Sequence, residues 1–301
     1  MRFFFTIFIS ILLISLLLVS ISLQIPLSKV EEDNNLIGII LIQDKLLEGL
    51  GQKRIILLGG SSLGLGVSAR MITARTGLQT INTGRRGGLG YGNIWDLYSP
   101  YFDKTQDLIV ISPEAEMITS GGRPLGFAIC EMSTLKLTDW KTNLLCSGRH
   151  AKRVIKKMIG FRETKSHYSK SDFDEFGDSS VELIPRSPFG RVTRRCDEMP
   201  SKKQFDDYLR FFEDKKLLGY NILYIPSIIF KDACISYLPR ILELNTVLTE
   251  AFGSELPDDY PYLLEEKYFM DTIHHLTPDG RKIKTEAFLQ LIKARLAFTQ
   301  Q

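Results

Sequence analysis

Arg54-Ile55-Ile56-Leu57-Leu58-Gly59-Gly60-Ser61-Ser62-Leu63-Gly64-Leu65-Gly66 is the stretch on which the reading of this chain turns. The apolar run at 55–58 has the length of a buried strand. A double-glycine turn follows, then two serines, and residues 67–76 have the composition of a helix. Strand, tight turn, hydroxyl and helix in that order present a side chain at the end of a sheet. The N–H groups that open the helix face whatever sits there, a phosphate or a developing oxyanion.

Gly60, Gly64 and Gly66 also match G-x-x-x-G-x-G, a dinucleotide-binding pattern of dehydrogenases. Such an enzyme needs a Tyr-x-x-x-Lys pair, and no tyrosine here has a lysine four residues on. It also needs an acidic residue closing the second strand to hold a ribose. The second strand, residues 79–82, ends in Thr80-Ile81-Asn82 instead.

The other partners of a serine lie far along the chain, in Asp271-Thr272-Ile273-His274-His275-Leu276-Thr277-Pro278-Asp279-Gly280. An early serine on a strand-to-helix turn with a late Asp and His resembles the SGNH (GDSL-like) hydrolase family. Gly60-Ser61-Ser62 stands where that family has Gly-Asp-Ser, and Leu63 and Gly66 continue the block. The resemblance therefore implies Ser62, not Ser61, as nucleophile. His275 stands five residues before Gly280, as in the family, and is the expected base, with Asp271 orienting its ring. The family's Asp-x-x-His spacing would instead pair Asp271 with His274, which is the alternative base. Asn82, Gly84 and Gly87 fit the second block, Asn-x-Gly-x-x-Gly. That implies an oxyanion hole built from the Ser62 and Gly87 N–H groups, with Gly88 as runner-up. After the third strand, residues 107–112, the best-known members carry Gly-x-Asn-Asp. Here the chain has Pro113-Glu114-Ala115-Glu116, which removes a side-chain donor.

The resemblance implies an α/β architecture, a three-layer flavodoxin-like SGNH fold with a parallel sheet. The order of elements agrees: helix over 204–216, a fourth strand at 220–226 stopped by Pro226, helix over 238–252, and a last helix from Pro278 to about residue 297 with Thr277 as its N-cap. Residues 53–299 make this domain. Within it, 120–205 read as an insertion, a lid or side wall, with a basic amphipathic helix near 150–159. The segment Phe173-Asp174-Glu175-Phe176-Gly177-Asp178 also resembles exported family members, with no mechanism attached to it.

Residues 1–25 stand apart. The run 3–23 carries no charge and matches the roughly 20 residues that cross a bilayer. Arg2 and the amino terminus favour an inside N-terminus. A retained anchor is expected; a cleaved signal peptide, with Ser20-Ile21-Ser22 as its site, is the alternative. Either exports the rest. Residues 26–52 read as a juxtamembrane segment with a helix over 36–50. Cys130, Cys146, Cys196 and Cys234 would then meet an oxidising compartment, as disulfides or as buried thiols. With 38 basic and 35 acidic residues the chain has no nucleic-acid footprint. Four histidines and no Cys-x-x-Cys give no zinc pattern. No cofactor is implied. The expectation is an exported serine esterase or O-acyltransferase acting on acylated cell-envelope glycans, with envelope-assembly proteins as candidate partners. The alternative is a non-catalytic envelope protein that keeps the fold and binds glycan or an assembly partner.

Overall fold

The computed structural model describes residues 2–24, 43, 45–48, 52–84, 87–121, 173–180, 199–253, 255–270 and 272–298. Asp271, Arg85, Arg86, three of the four cysteines, and most of the expected insertion and juxtamembrane segment lie outside them. The chain divides into two compact units, one of Met1–Ile40 with Leu125–Ser171 and one of Leu41–Pro124 with Asp172–Gln301. The candidate site lies wholly in the second.

In the first unit the apolar run forms one helix, α1 (Arg2–Gln24). Its side chains are described only in part, between Phe4 and Leu17, and there they are exposed. Among the described residues no helix is long and apolar enough to cross a membrane.

The second unit is an α/β domain. Four strands, β1 (Arg54–Gly59), β2 (Gln79–Asn82), β3 (Leu108–Ser112) and β4 (Asn221–Tyr224), form one sheet in the order β2-β1-β3-β4. Every pairing is parallel. β1 and β3 are buried along their whole length, which is why they read as unbroken apolar runs rather than alternating ones. Between the strands lie α2 (Ser61–Gly64), α3 (Ala69–Thr76), α4 (Tyr91–Tyr98), α5 (Ala115–Ser120) and α6 (Lys202–Leu217). After β4 come a short parallel pair, β5 (Ile229–Phe230) and β6 (Leu263–Leu264), with α7 (Lys231–Cys234) and α8 (Leu238–Phe252) between them, and finally α9 (Pro278–Phe298).

Alternate strand residues face opposite sides. Ile55, Leu57, Leu108, Val110 and Leu223 join a core with Ala69 and Ile72 of α3 and Ala287, Phe288, Leu291 and Ile292 of α9. On the other side α4, α6 and α8 bring an aromatic cluster: Tyr91 packs edge-on against Tyr208, and Phe212 against both Trp95 and Phe252. The Tyr224 hydroxyl, at the end of β4, donates to Asn245 of α8. Below the sheet's amino end, Arg54 and Asp107 form a fully buried bidentate pair, Nε to Oδ1 at 2.9 Å and Nη2 to Oδ2 at 2.8 Å. Arg54 also donates to the Leu47 and Tyr101 carbonyls, so its remaining protons are not stranded.

α9 opens as its sequence predicts. The Thr277 hydroxyl accepts from Gly280 N at 3.3 Å, and the Thr277 carbonyl accepts the first helical bond, from Arg281 N.

Candidate active site

The strand order reverses at β1: the chain passes from β1 to β2 on one side and on to β3 on the other. Loops leaving the carboxyl ends of β1 and β3 part there and leave a crevice. Three such loops supply the site: residues 60–66 after β1, 83–90 after β2 and 113–114 after β3.

The first two loops touch backbone to backbone. A methyl group on Gly64 would stand 2.6 Å from the Gly84 carbonyl oxygen, and one on Gly84 would stand 2.2 Å from Gly64 N. No side chain fits at either position. Asn82 locks the contact: its Oδ1 accepts from Gly84 N at 3.0 Å, and its Nδ2 donates to the Val67 carbonyl at 3.2 Å and to Asp178 at 3.1 Å.

Gly60 caps α2 in an extended conformation, so Ser61 is the first helical residue. Successive residues of a helix project about 100° apart. Ser61 therefore keeps a half-buried side chain at the crevice, while that of Ser62 turns into the core. Ser62 is fully buried, and its Oγ has no hydrogen-bond partner among the described residues. Ser61 Oγ lies 3.1 Å from His275 Nε2. The serine expected to attack is thus not the one brought to the histidine: the hydroxyl at the ring is that of Ser61, one residue earlier. The Ser62 contribution to the crevice is its backbone N–H.

His275 rather than His274 reaches the serine. A turn holds it. Thr272 Oγ1 accepts from both His274 N and His275 N, and Phe269 and Leu276 form an antiparallel bridge across the bend. The His275 carbonyl accepts from Met270 N at 2.9 Å. His275 is 9% exposed, so it meets the serine at a nearly dry edge. Asp271, its expected orienter, lies outside the described residues.

The sequence left Glu114 open between a place facing the site and a solvated or structural one. It is 2% exposed. Its Oε1 accepts a short hydrogen bond from Ser62 N and stands 3.5 Å from Ser61 Oγ. The carboxylate fills space that two glycines leave open: a methyl group on Gly60 would come within 2.3 Å of Oε1, and one on Gly87 within 2.7 Å of Oε2. Ser62 N–H and Gly87, the two expected oxyanion-hole groups, therefore border one carboxylate. Gly88 is buried behind them.

Lys284 of α9 lies beneath. It is fully buried, and its Nζ donates to the Ser62 carbonyl at 2.9 Å. Loss of hydration lowers its ammonium pKa to about 8, against the opposing pull of the Glu114 charge. The sequence reading overlooked it, since a lysine in an amphipathic last helix looks like surface. The signal was its spacing. Lys284 stands four residues after Gly280 and four before Phe288, both buried, on the inner stripe of α9.

The segment 173–178 now has a role. Asp178, 4% exposed, accepts from Ser68 Oγ, Ala69 N and Arg70 N at 2.8 to 3.0 Å and from Asn82 Nδ2. It also pairs with Arg281 at 3.2 Å. It caps α3 and braces the loops that carry the site. Among the described residues no group of three or more His, Cys, Asp or Glu could hold a metal ion.

No family model matches the chain, and no curated protein matches it. A solved structure described as "a putative platelet activating factor from Streptococcus pneumonia" is similar over 83% of this chain and 91% of that one, at 12% identity and a TM-score of 0.34.

Proposed function

We propose that the chain is a serine acyl hydrolase or acyltransferase with Ser61 as nucleophile and His275 as base. The observation that carries this reading is the 3.1 Å approach of Ser61 Oγ to His275 Nε2 at the carboxyl end of a parallel sheet. That is hydrogen-bond reach for a nucleophile and its base. Ser61 Oγ attacks the acyl carbonyl, and its proton passes to His275 Nε2. The tetrahedral oxyanion turns toward the Ser62 N–H and the Gly87 loop. Collapse releases the alcohol, which takes the proton back from His275. Water or a sugar hydroxyl then gives its proton to His275 and takes the acyl group from Ser61, and His275 returns the proton to the departing Ser61 Oγ. Asp271 is the proposed orienter of the imidazole, as in the triad logic of such enzymes.

The proposed substrates are acylated glycans of the cell envelope, and the proposed location is outside the cytoplasm, on a helical anchor or after cleavage of a signal peptide. Two features support export. The first 24 residues carry no charged side chain apart from Arg2 and are mostly apolar. Cys234 is disulfide-bonded, as suits an oxidising compartment.

The buried Glu114 favours a second reading, a binding protein that keeps the fold without the chemistry, since a carboxylate against the serine opposes a developing oxyanion. A fluorophosphonate probe on the full-length protein in detergent separates the two. Labelling should fall at least 100-fold in Ser61→Ala and in His275→Ala. It should persist in His274→Ala, and in Ser62→Ala, which keeps its backbone N–H. Labelling that survives Ser61→Ala overturns the assignment of the nucleophile.

A further inference from the structure

We infer that Glu114 is a built-in gate, an internal carboxylate that occupies the oxyanion pocket of the resting protein and must leave it before an acyl group can be transferred. The inference rests on Ser61 being the nucleophile. Four observations carry it. The carboxylate takes the Ser62 N–H, a backbone donor of the proposed hole. It stands 3.5 Å from the attacking oxygen. Glycine at both 60 and 87 leaves the room it fills. And it is buried, 2% exposed, above a fully buried lysine whose charge it offsets.

A carboxylate in an oxyanion pocket resembles the species that pocket is built to hold. It carries negative charge on an sp² oxygen and accepts the same N–H. While Glu114 stays, a substrate carbonyl oxygen cannot meet the Ser62 N–H, and the tetrahedral intermediate would place a second negative charge beside the first. At a short distance in a dry site that repulsion is large compared with its value in water. The gate needs little movement. Glu114 is the residue just before α5, in extended backbone, so rotation about its own side-chain bonds clears the pocket without unwinding a helix. Lys284 opposes the opening, because the departing carboxylate leaves a buried ammonium behind.

The test measures the rate of labelling by a fluorophosphonate. In that reaction Ser61 Oγ bonds to phosphorus, fluoride departs, and the serine proton goes to His275. Full-length wild type is compared with Glu114→Ala, which vacates the pocket, and Glu114→Gln, which keeps the shape, removes the charge and offers an amide donor. Thermal melts confirm that each is folded. Both variants should label at least tenfold faster than wild type, and Ser61→Ala in either background should abolish the label. If wild type labels and neither folded variant is faster, the gate falls while the nucleophile stands. If neither wild type nor the variants label at all, the serine-acyl reading falls and takes the gate with it. A variant that labels where wild type does not supports both.

Discussion

Lys284 shows how one buried group ties the site to the stability of the fold. An ammonium with no exposed surface has lost its hydration, and a carbonyl at 2.9 Å plus the Glu114 charge replace only part of it. Its pKa falls from 10.5 to about 8. Below pH 8 the lysine is charged in both folded and unfolded chains, and folding bears the full desolvation cost. Between pH 8 and 10.5 the unfolded chain holds a proton that the folded chain has given up. Stability from this group therefore rises with pH across that window. Lys284→Met has no such term. Going from pH 7 to pH 9.5, wild type should gain on the variant by about 2 kcal/mol in unfolding free energy. Denaturant melts of the pair at both pH values measure it, and a difference that stays constant with pH would falsify the assignment of that proton to Lys284. The serine pair teaches a related point about legibility. Sequence spacing pointed to this turn and, at the far end, to the histidine whose Nε2 lies 3.1 Å from the Ser61 hydroxyl. Which of two adjacent serines faces the crevice depends on where the first helical residue falls, because one step of 100° separates the open edge from the core. Gly60 as cap makes that residue Ser61.

At the scale of elements, the loops that carry the site are held by the ends of secondary structure rather than by core packing alone. Asp178 is the clearest case. It satisfies the first N–H groups of α3, which no intrahelical carbonyl can reach, and also the amide of Asn82, which positions the Gly84 loop. Removing it with Asp178→Ala loses a helix cap and leaves Arg281 and the Asn82 amide short of a partner. Each of those losses costs about 1 kcal/mol or more. The sum, about 3 kcal/mol, should lower the melting temperature by about 6 to 12 °C for a domain of this size. Labelling per folded molecule should fall as well, because the Gly84 loop loses its brace. A variant that melts as wild type does would show that the segment 173–178 does not hold these loops. The strands and the long helices were legible because burial writes them directly: β1 and β3 are unbroken apolar runs, and α6, α8 and α9 carry stripes at helical spacing. The role of Asp178 was not legible. Nothing local separates a capping aspartate that acts on a helix 109 residues away from one in a solvated turn. Glu114 was hidden for the same reason: its burial is decided by two glycines in other loops.

At the scale of the whole molecule, the compartment and the fold bear on each other through Cys234. This cysteine is buried at the end of α7, close to where the chain leaves β5, and it is disulfide-bonded. Under the proposed export the bond would form in an oxidising environment, and residues 1–25 would be the segment that delivers the chain there. The two features make one prediction. A disulfide that closes a loop limits the unfolded ensemble, and its loss typically costs about 2 to 5 kcal/mol. Full-length protein isolated from a membrane fraction should therefore melt about 5 to 15 °C lower in the presence of a strong thiol reductant. The same chain lacking residues 1–25, retained in a reducing cytosol, should already melt at the lower temperature and be insensitive to the reductant. If the full-length protein is equally insensitive, the bond is either absent or energetically idle, and Cys234 lends the proposed export no support. If the truncated chain matches the full-length protein in oxidised state and melting point, the N-terminal segment is not what sets the compartment.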